Sequence, residues 1–209
     1  MSTLRLVDEE SALDLAAYLA RARKVDDDGD VRLEAVGAVL AAWTCVLPGH
    51  GIGSTGLVLG LRTFALAEPV VSDRTVPLGA VTDRLARSGT EVPDPPMTTN
   101  PSWGALSPPR SGWEAVGTVR DAQLRAAALA GIAEVAHGAP DGAGSAAVAD
   151  LRARVWGRPT DTEVPVPAGT AFGLHVLGFL RPDAPAQATV HVRGPWTRVA
   201  SDRGFVIAR

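Results

Sequence analysis

The hexapeptide Gly51-Ile52-Gly53-Ser54-Thr55-Gly56 is the run in this chain with the most obvious chemistry. A G-x-G-x-x-G run between a strand and a helix lets backbone N–H groups reach a pyrophosphate at the helix N-terminus. Asp73, twenty residues beyond Gly53, stands where a ribose-binding acid would be needed. The context opposes that chemistry. Leu57-Val58-Leu59-Gly60-Leu61-Arg62-Thr63-Phe64 follows, which is β in composition, and without an opening helix there is neither a dipole nor a βαβ unit. The hexapeptide is therefore expected to join two antiparallel strands, and no cofactor is expected. Ser54 does not complete a nucleophile elbow either, because that turn needs glycine two positions before the serine and position 52 is isoleucine.

Other reactive types fail on spacing. Asp26, Asp28 and Asp30 begin like a calcium loop, but Val31 stands where glycine is required and Gly37 where a bidentate glutamate belongs. His50, His137, His175 and His191 have no metal-ligand spacing and no cysteine partners. Cys45, the sole cysteine, lies in Ala42-Trp43-Thr44-Cys45-Val46 and reads as a small hydrophobe in a strand with nothing electropositive beside it. No catalytic, metal or cofactor residue is assigned.

Aromatic and arginine residues are more suggestive. Trp103, Trp113, Trp156 and Trp196 each adjoin Gly, Pro or Arg, and Arg110, Arg158 and Arg198 lie within three positions of one of them. Large aromatics at such places commonly staple turns to a core. Trp and Arg also concentrate binding energy at interfaces. With His175, the set Trp103, Arg110, Trp113, Trp156, Arg158, Trp196 and Arg198 is the candidate interaction surface or pocket.

The elements that must carry these residues read as α+β. Residues 8–24 predict an amphipathic helix capped by Asp8, with Glu9 and Glu10 at its positive end and Arg21, Arg23 and Lys24 at its negative end. Strands are expected at Val31–Val36 and Val39–Leu47, reversing at Gly37-Ala38, and at Leu57–Ala67. A short helix at 78–87 precedes residues 88–112, which hold six prolines and cannot form regular structure. Thr118-Val119-Arg120-Asp121 reads as a capping box opening a helix that Gly138 and Pro140 end, and a second helix runs from Ser145 to Trp156. The apolar stretch 170–180 is read as a helix, followed by strands at Thr189–Arg193, Trp196–Ala200 and Phe205–Ala208.

Bulk composition sets bounds. At 209 residues, 46% apolar and 21% charged, the chain has ample material for one large domain or two small halves. Its division is expected to be 1–88, a proline-rich strap at 89–112, and 113–209. A net charge of −3 with scattered basic residues argues against nucleic acid as a partner. One cysteine, no signal-peptide layout and no apolar run of about 20 residues point to the cytoplasm and away from a membrane. Lys24 is the only lysine among twenty basic residues, a bias that GC-rich codons explain.

Pro108-Pro109-Arg110-Ser111-Gly112-Trp113-Glu114, Val155-Trp156-Gly157-Arg158-Pro159, His175-Val176-Leu177-Gly178-Phe179-Leu180 and Gly194-Pro195-Trp196-Thr197-Arg198 resemble segments of a family of uncharacterised proteins from high-GC Gram-positive bacteria. The similarity extends over most of the chain, including Val58-Leu59-Gly60-Leu61-Arg62. It implies one intact unit and no particular chemistry.

The functional expectation is a non-enzymatic cytoplasmic interaction or scaffold protein, with an unknown protein partner or a second copy of itself. The alternative is a small-molecule binder or enzyme with a pocket between the two halves. The order helix, strand, glycine, strand, loop, strand recurs around Gly37 and around Gly194, which predicts two α-βββ-like units with pseudo-twofold repetition. Superposing residues 12–67 on 170–208 checks it: the same strand order, with a helix leading into three antiparallel strands, is expected, and a different strand order or a second segment without that helix and three strands removes the repeat.

Overall fold

The computed structural model describes every residue except 1–3, 52, 93–96, 139–143, 182 and 184, and describes residues 86 and 88 by backbone alone. The chain is α+β and divides into two compact units, Met1–Val46 with Gly60–Ser107, and Leu47–Leu59 with Pro108–Arg209. Each pairs helices with antiparallel strands.

The first unit contains β1 (Leu4–Arg5), α1 (Glu9–Val25), most of β2 (Asp30–Leu47) and of β3 (Val58–Pro77), α2 (Leu78–Ser88) and β4 (Glu91–Val92). Helix α1 begins where Asp8 accepts a 2.7 Å hydrogen bond from the Ser11 amide, a contact that also holds the Asp8 carboxyl below its usual pKa. Ala12, Leu15, Tyr18, Leu19 and Ala22 form its buried stripe. The Tyr18 hydroxyl reaches Thr44 Oγ1 at 2.8 Å and Ala42 O at 3.2 Å, which satisfies a fully buried polar group, and burial pushes the phenol pKa up. Helix α2 packs on α1, where Arg23 donates to Thr82 Oγ1 at 3.0 Å.

Strand β2 corrects one expectation. It is continuous from Asp30 to Leu47, and Gly37-Ala38 is not a reversal. The strand passes through Gly37, at φ 61°, without turning back. Buried side chains fall at Val31, Leu33 and Ala35 before the glycine and at Leu40, Ala42 and Thr44 after it. Odd positions give way to even ones, as one extra residue in a β-bulge requires. Strand β3 likewise runs past Ala67 to Pro77. Beyond that point Arg32 Nε and Nη2 grip Asp73 Oδ1 and Oδ2 at 2.8 and 2.7 Å, a two-point ion pair joining β2 to β3.

Of the proline-rich segment, Pro93–Pro96 lie outside the described residues. Residues 91–92 pair with β1, and Thr99 is fastened to Thr75 O at 2.8 Å and to Asp30 Oδ1 at 2.7 Å.

The second unit contains β5 (Glu114–Arg120), α3 (Asp121–Gly138), α4 (Ser145–Gly157), α5 (Ala168–Val176), β6 (Gln187–Arg193), β7 (Trp196–Ser201) and β8 (Gly204–Ala208). Strands β5-β6-β7-β8 form an antiparallel series, and the first residues of β3 continue it beside β8. The capping box at Thr118 is the second correction. Thr118 and Val119 are β-branched and sit in β5, opposite Thr189 and Ala188, and the helix starts only at Asp121. Asp121 is buried, and its Oδ2 accepts from the Arg181 amide at 2.7 Å, tying the start of α3 to the segment before β6.

Residues 170–180 are helical through Val176, as α5. Its glycines let it lie close to the sheet: a Cβ on Gly173 would stand 3.1 Å from Val206 Cγ1, and one on Gly169 2.9 Å from Val58 Cγ2. Phe172, beside them, stacks on Trp156 with ring centroids 4.4 Å apart. The opposite side of that indole fills a notch at Gly131 of α3, where a Cβ would meet Trp156 Cζ3 at 2.4 Å.

Replacing Gly131 by alanine opposes two effects. The helix interior would gain about 0.5–1 kcal/mol of propensity. Overpacking against a buried indole costs about 1–3 kcal/mol. The steric cost wins, so Gly131→Ala is expected to lower unfolding free energy by about 1 kcal/mol net, read from urea denaturation; a more stable variant would show that the notch relaxes freely.

Candidate functional site

The hexapeptide at 51–56 closes a loop between β2 and β3, neighbours in one sheet. His50 and Thr55 form an antiparallel bridge, with N–H···O distances of 2.9 and 3.0 Å. Gly51 and Gly56 take φ of 66° and 79°, and a Cβ on Gly49 would collide with Ser54 O at 2.6 Å. These glycines serve a tight turn, and no helix follows them. Gly56 N donates to Arg209 O at 2.8 Å and Arg209 N to Leu57 O at 3.0 Å, which seats the last strand against β3.

That seating fixes a second surface. Directly opposite residues of antiparallel strands share a face, so the register places Ala115, His191, Arg198 and Ile207 in one row, with Arg193 and Trp196 beside them. Thr118, Thr189, Ala200 and Phe205 complete the next row. None of these positions is acidic. The opposite face carries Val190, Val199 and Val206, buried toward α5.

Segment Pro108–Trp113 lies over the polar face. Trp113 donates its indole N–H to Pro109 O at 2.9 Å and faces the Arg198 guanidinium at 4.8 Å. Phe205 holds the same guanidinium at 5.5 Å. Arg193 packs on Gly112, where a Cβ would lie 3.0 Å from Nη1, and Arg209 sits 5.4 Å over buried Trp196. Arg198 Nε and His191 Nδ1 are buried without a hydrogen-bond partner. Desolvation, and then the nearby Arg198 charge, hold the His191 pKa below 6.5, and desolvation lowers that of Arg198.

Of the residues singled out from the sequence, Trp113, Arg198 and Trp196 thus meet on this face. Arg110 is exposed three residues before Trp113. Trp103 is half-buried in a 3₁₀ turn of the first unit (Ser102–Ala105). Trp156 packs between α3 and α5, Arg158 pairs with Glu134, and half-buried His175 ends α5. Sequence reasoning missed His191, Arg193, Phe205 and Arg209. The i, i+2 spacing of His191–Arg193 and Trp196–Arg198 around Gly194-Pro195 was the available signal.

Two further places are chemically quiet. An open groove of about 460 Å³ beside α3 is lined by Ala126, Ala127, Ala130 and Ala168, with Arg158 at its edge already paired to Glu134. Cys45 is half-buried, and its thiol is pushed up to about 12 by burial and then by Asp26, so it stays protonated. Among the described residues no group of three or more His, Cys, Asp or Glu could hold a metal, and no helix is long and apolar enough to cross a membrane.

Two units of helices and antiparallel strands in this order define the fold of DNA polymerase sliding clamps. The sliding clamp of Pseudomonas aeruginosa superposes with a TM-score of 0.57 at 12% identity, covering 100% of this chain and 64% of that one. The clamp of Bartonella birtlesii, DNA polymerase III subunit beta, bound to griselimycin, gives 0.59 at 9%, covering 100% and 65%. The DNA polymerase III subunit beta of Borrelia burgdorferi, in complex with a natural product, gives 0.59 at 6%, covering 100% and 64%. The chain therefore spans just under two thirds of the clamps it resembles. It belongs to the family of the domain of unknown function DUF8010, matched over residues 1–105, and residues 108–209 match a second such domain, DUF8185. No curated protein matches it in sequence.

The exclusion of nucleic acid is overturned by this likeness, because the proteins that share the fold are DNA polymerase clamps. A net charge of −3 is a sum over the chain and does not record where folding gathers cations.

His191 is expected to titrate below 6.5, and Arg198→Gln, by removing the second cause, to raise that value, read from imidazole resonances against pH. A folded-state histidine pKa below the unfolded one means that the unfolded chain binds more protons, so His191's contribution to stability fades as pH falls through 6.5. An unchanged titration in the variant would show that Arg198 does not act on the ring.

Proposed function

We propose that this chain is a non-enzymatic cytoplasmic scaffold of clamp type that works with DNA and with DNA-bound proteins. One observation carries the reading: the whole chain falls within the fold of DNA polymerase sliding clamps, although identity is only 6 to 12% in the three compared. A shared fold does not by itself carry function, so the chemistry must be argued from the residues present. Those residues favour binding. Arginine and tryptophan are concentrated on the sheet face of the second unit.

Sedimentation velocity with the purified chain, a fluorescent DNA duplex of about 40 base pairs and the DNA polymerase III of the same cell tests the reading, at two salt concentrations because phosphate contacts weaken steeply with salt. Co-sedimentation with the duplex, the polymerase or both is expected. Free migration of all three components at low salt would overturn the proposal.

A further inference from the structure

Resting on the scaffold reading and naming the partner chemistry of its sheet face, we infer that Arg198, Arg193 and His191 form a docking point for an acidic segment of a protein partner, whose carboxylates pair with the two guanidinium groups. The Arg198 guanidinium lies over the Trp113 ring at 4.8 Å and over the Phe205 ring at 5.5 Å, contacts that leave its N–H groups to bind. Among the described residues no ion pair includes Arg198 or Arg193. The buried Arg198 Nε lacks a partner, as does the buried Nδ1 of His191 directly across the β6–β7 ladder. The Arg198 guanidinium and exposed Arg193, with no acid among Ala115, Thr118, Thr189, Ala200, Phe205 and Ile207 on the same face, are complementary to an incoming carboxylate.

The surroundings favour a carboxylate on a peptide over a nucleic-acid strand. Sequence-tolerant strand binding needs open aromatic faces on which bases stack. Here Trp113 and Phe205 are turned to the Arg198 guanidinium, and Trp196 is buried beneath Arg209. Away from Arg198 the face continues as Thr189 and Thr118, whose hydroxyl donates to Gln187 Oε1 at 2.9 Å, and then as Gln187 and exposed Arg120. The fork at Arg198 with exposed Arg193 near it suits the carboxylates of an acidic peptide segment.

The full chain labelled with ¹⁵N is titrated separately with a ten-residue polyglutamate peptide, with a ten-residue oligothymidylate and with inorganic phosphate, following the Arg198 Nε–H and Trp113 Nε1–H resonances. Saturable movement of both with polyglutamate, at concentrations at least tenfold below those needed by the other two probes, is expected. Arg198→Gln and Arg193→Gln should each weaken the peptide at least tenfold, with Arg193→Gln the safer variant because its side chain is exposed. Arg125→Gln, exposed on α3, should leave peptide binding unchanged. No saturable movement, or peptide binding indifferent to both substitutions, overturns the inference. Saturation by oligothymidylate first would make the face a nucleic-acid surface, and by phosphate first a free-anion site; either result also overturns it. These readouts involve no duplex and no polymerase, so failure here leaves the scaffold reading standing, and failure of co-sedimentation leaves the titration interpretable.

Discussion

The second unit depends on how near a helix can come to a sheet. Helix α5 approaches β8 until the space beside Gly173 and Gly169 is filled by Val206 and Val58. Side chains there would push the helix away and open a gap that no solvent would usefully fill. The close approach also brings Phe172 onto Trp156, and Trp156 into the notch of Gly131, so α3, α4 and α5 are locked through one indole. With the sheet pinned from that side, its other face is free to carry polar groups in register. The Arg198 stack is thus a surface whose geometry is set by packing on the reverse of the same strands.

Much of the fold was legible because its signals were local. Asp8 with two glutamates behind it marks the start of α1, and Pro77 marks that of α2. The three closing strands follow from alternation broken at Gly194-Pro195 and at Asp202-Arg203. Failures occurred where a local signal had two meanings. Glycine between apolar runs fits a hairpin and a bulge equally well, and here β2 runs on through Gly37. Thr118 three residues before Asp121 resembles a cap, yet its β-branched neighbours pair with β6. In both cases a strand partner remote in sequence decided the outcome.

The candidate site shows the same division. Trp113, Trp196 and Arg198 could be picked out by residue type, since they adjoin turn residues and carry large contact surfaces. Which of them meet could not be read, because Trp113 reaches Arg198 across the breadth of a sheet from a segment about eighty residues earlier. Trp156 and Arg158 share the same sequence flavour and belong to a helix layer with other partners. Net charge misled for a related reason: composition counts cations, while binding depends on their placement.

The division of the chain carries a consequence for how such a protein could be built or dismantled. Sequence families divide it once, between residues 105 and 108, but the compact bodies exchange the chain three times, because the hairpin Leu47–Leu59 lies inside the first family segment and belongs physically to the second unit. A genetic cut at the family boundary would strip the second unit of the strand end that pairs with Arg209 and of the Val58 side chain that α5 rests upon. Neither piece would be a self-sufficient module.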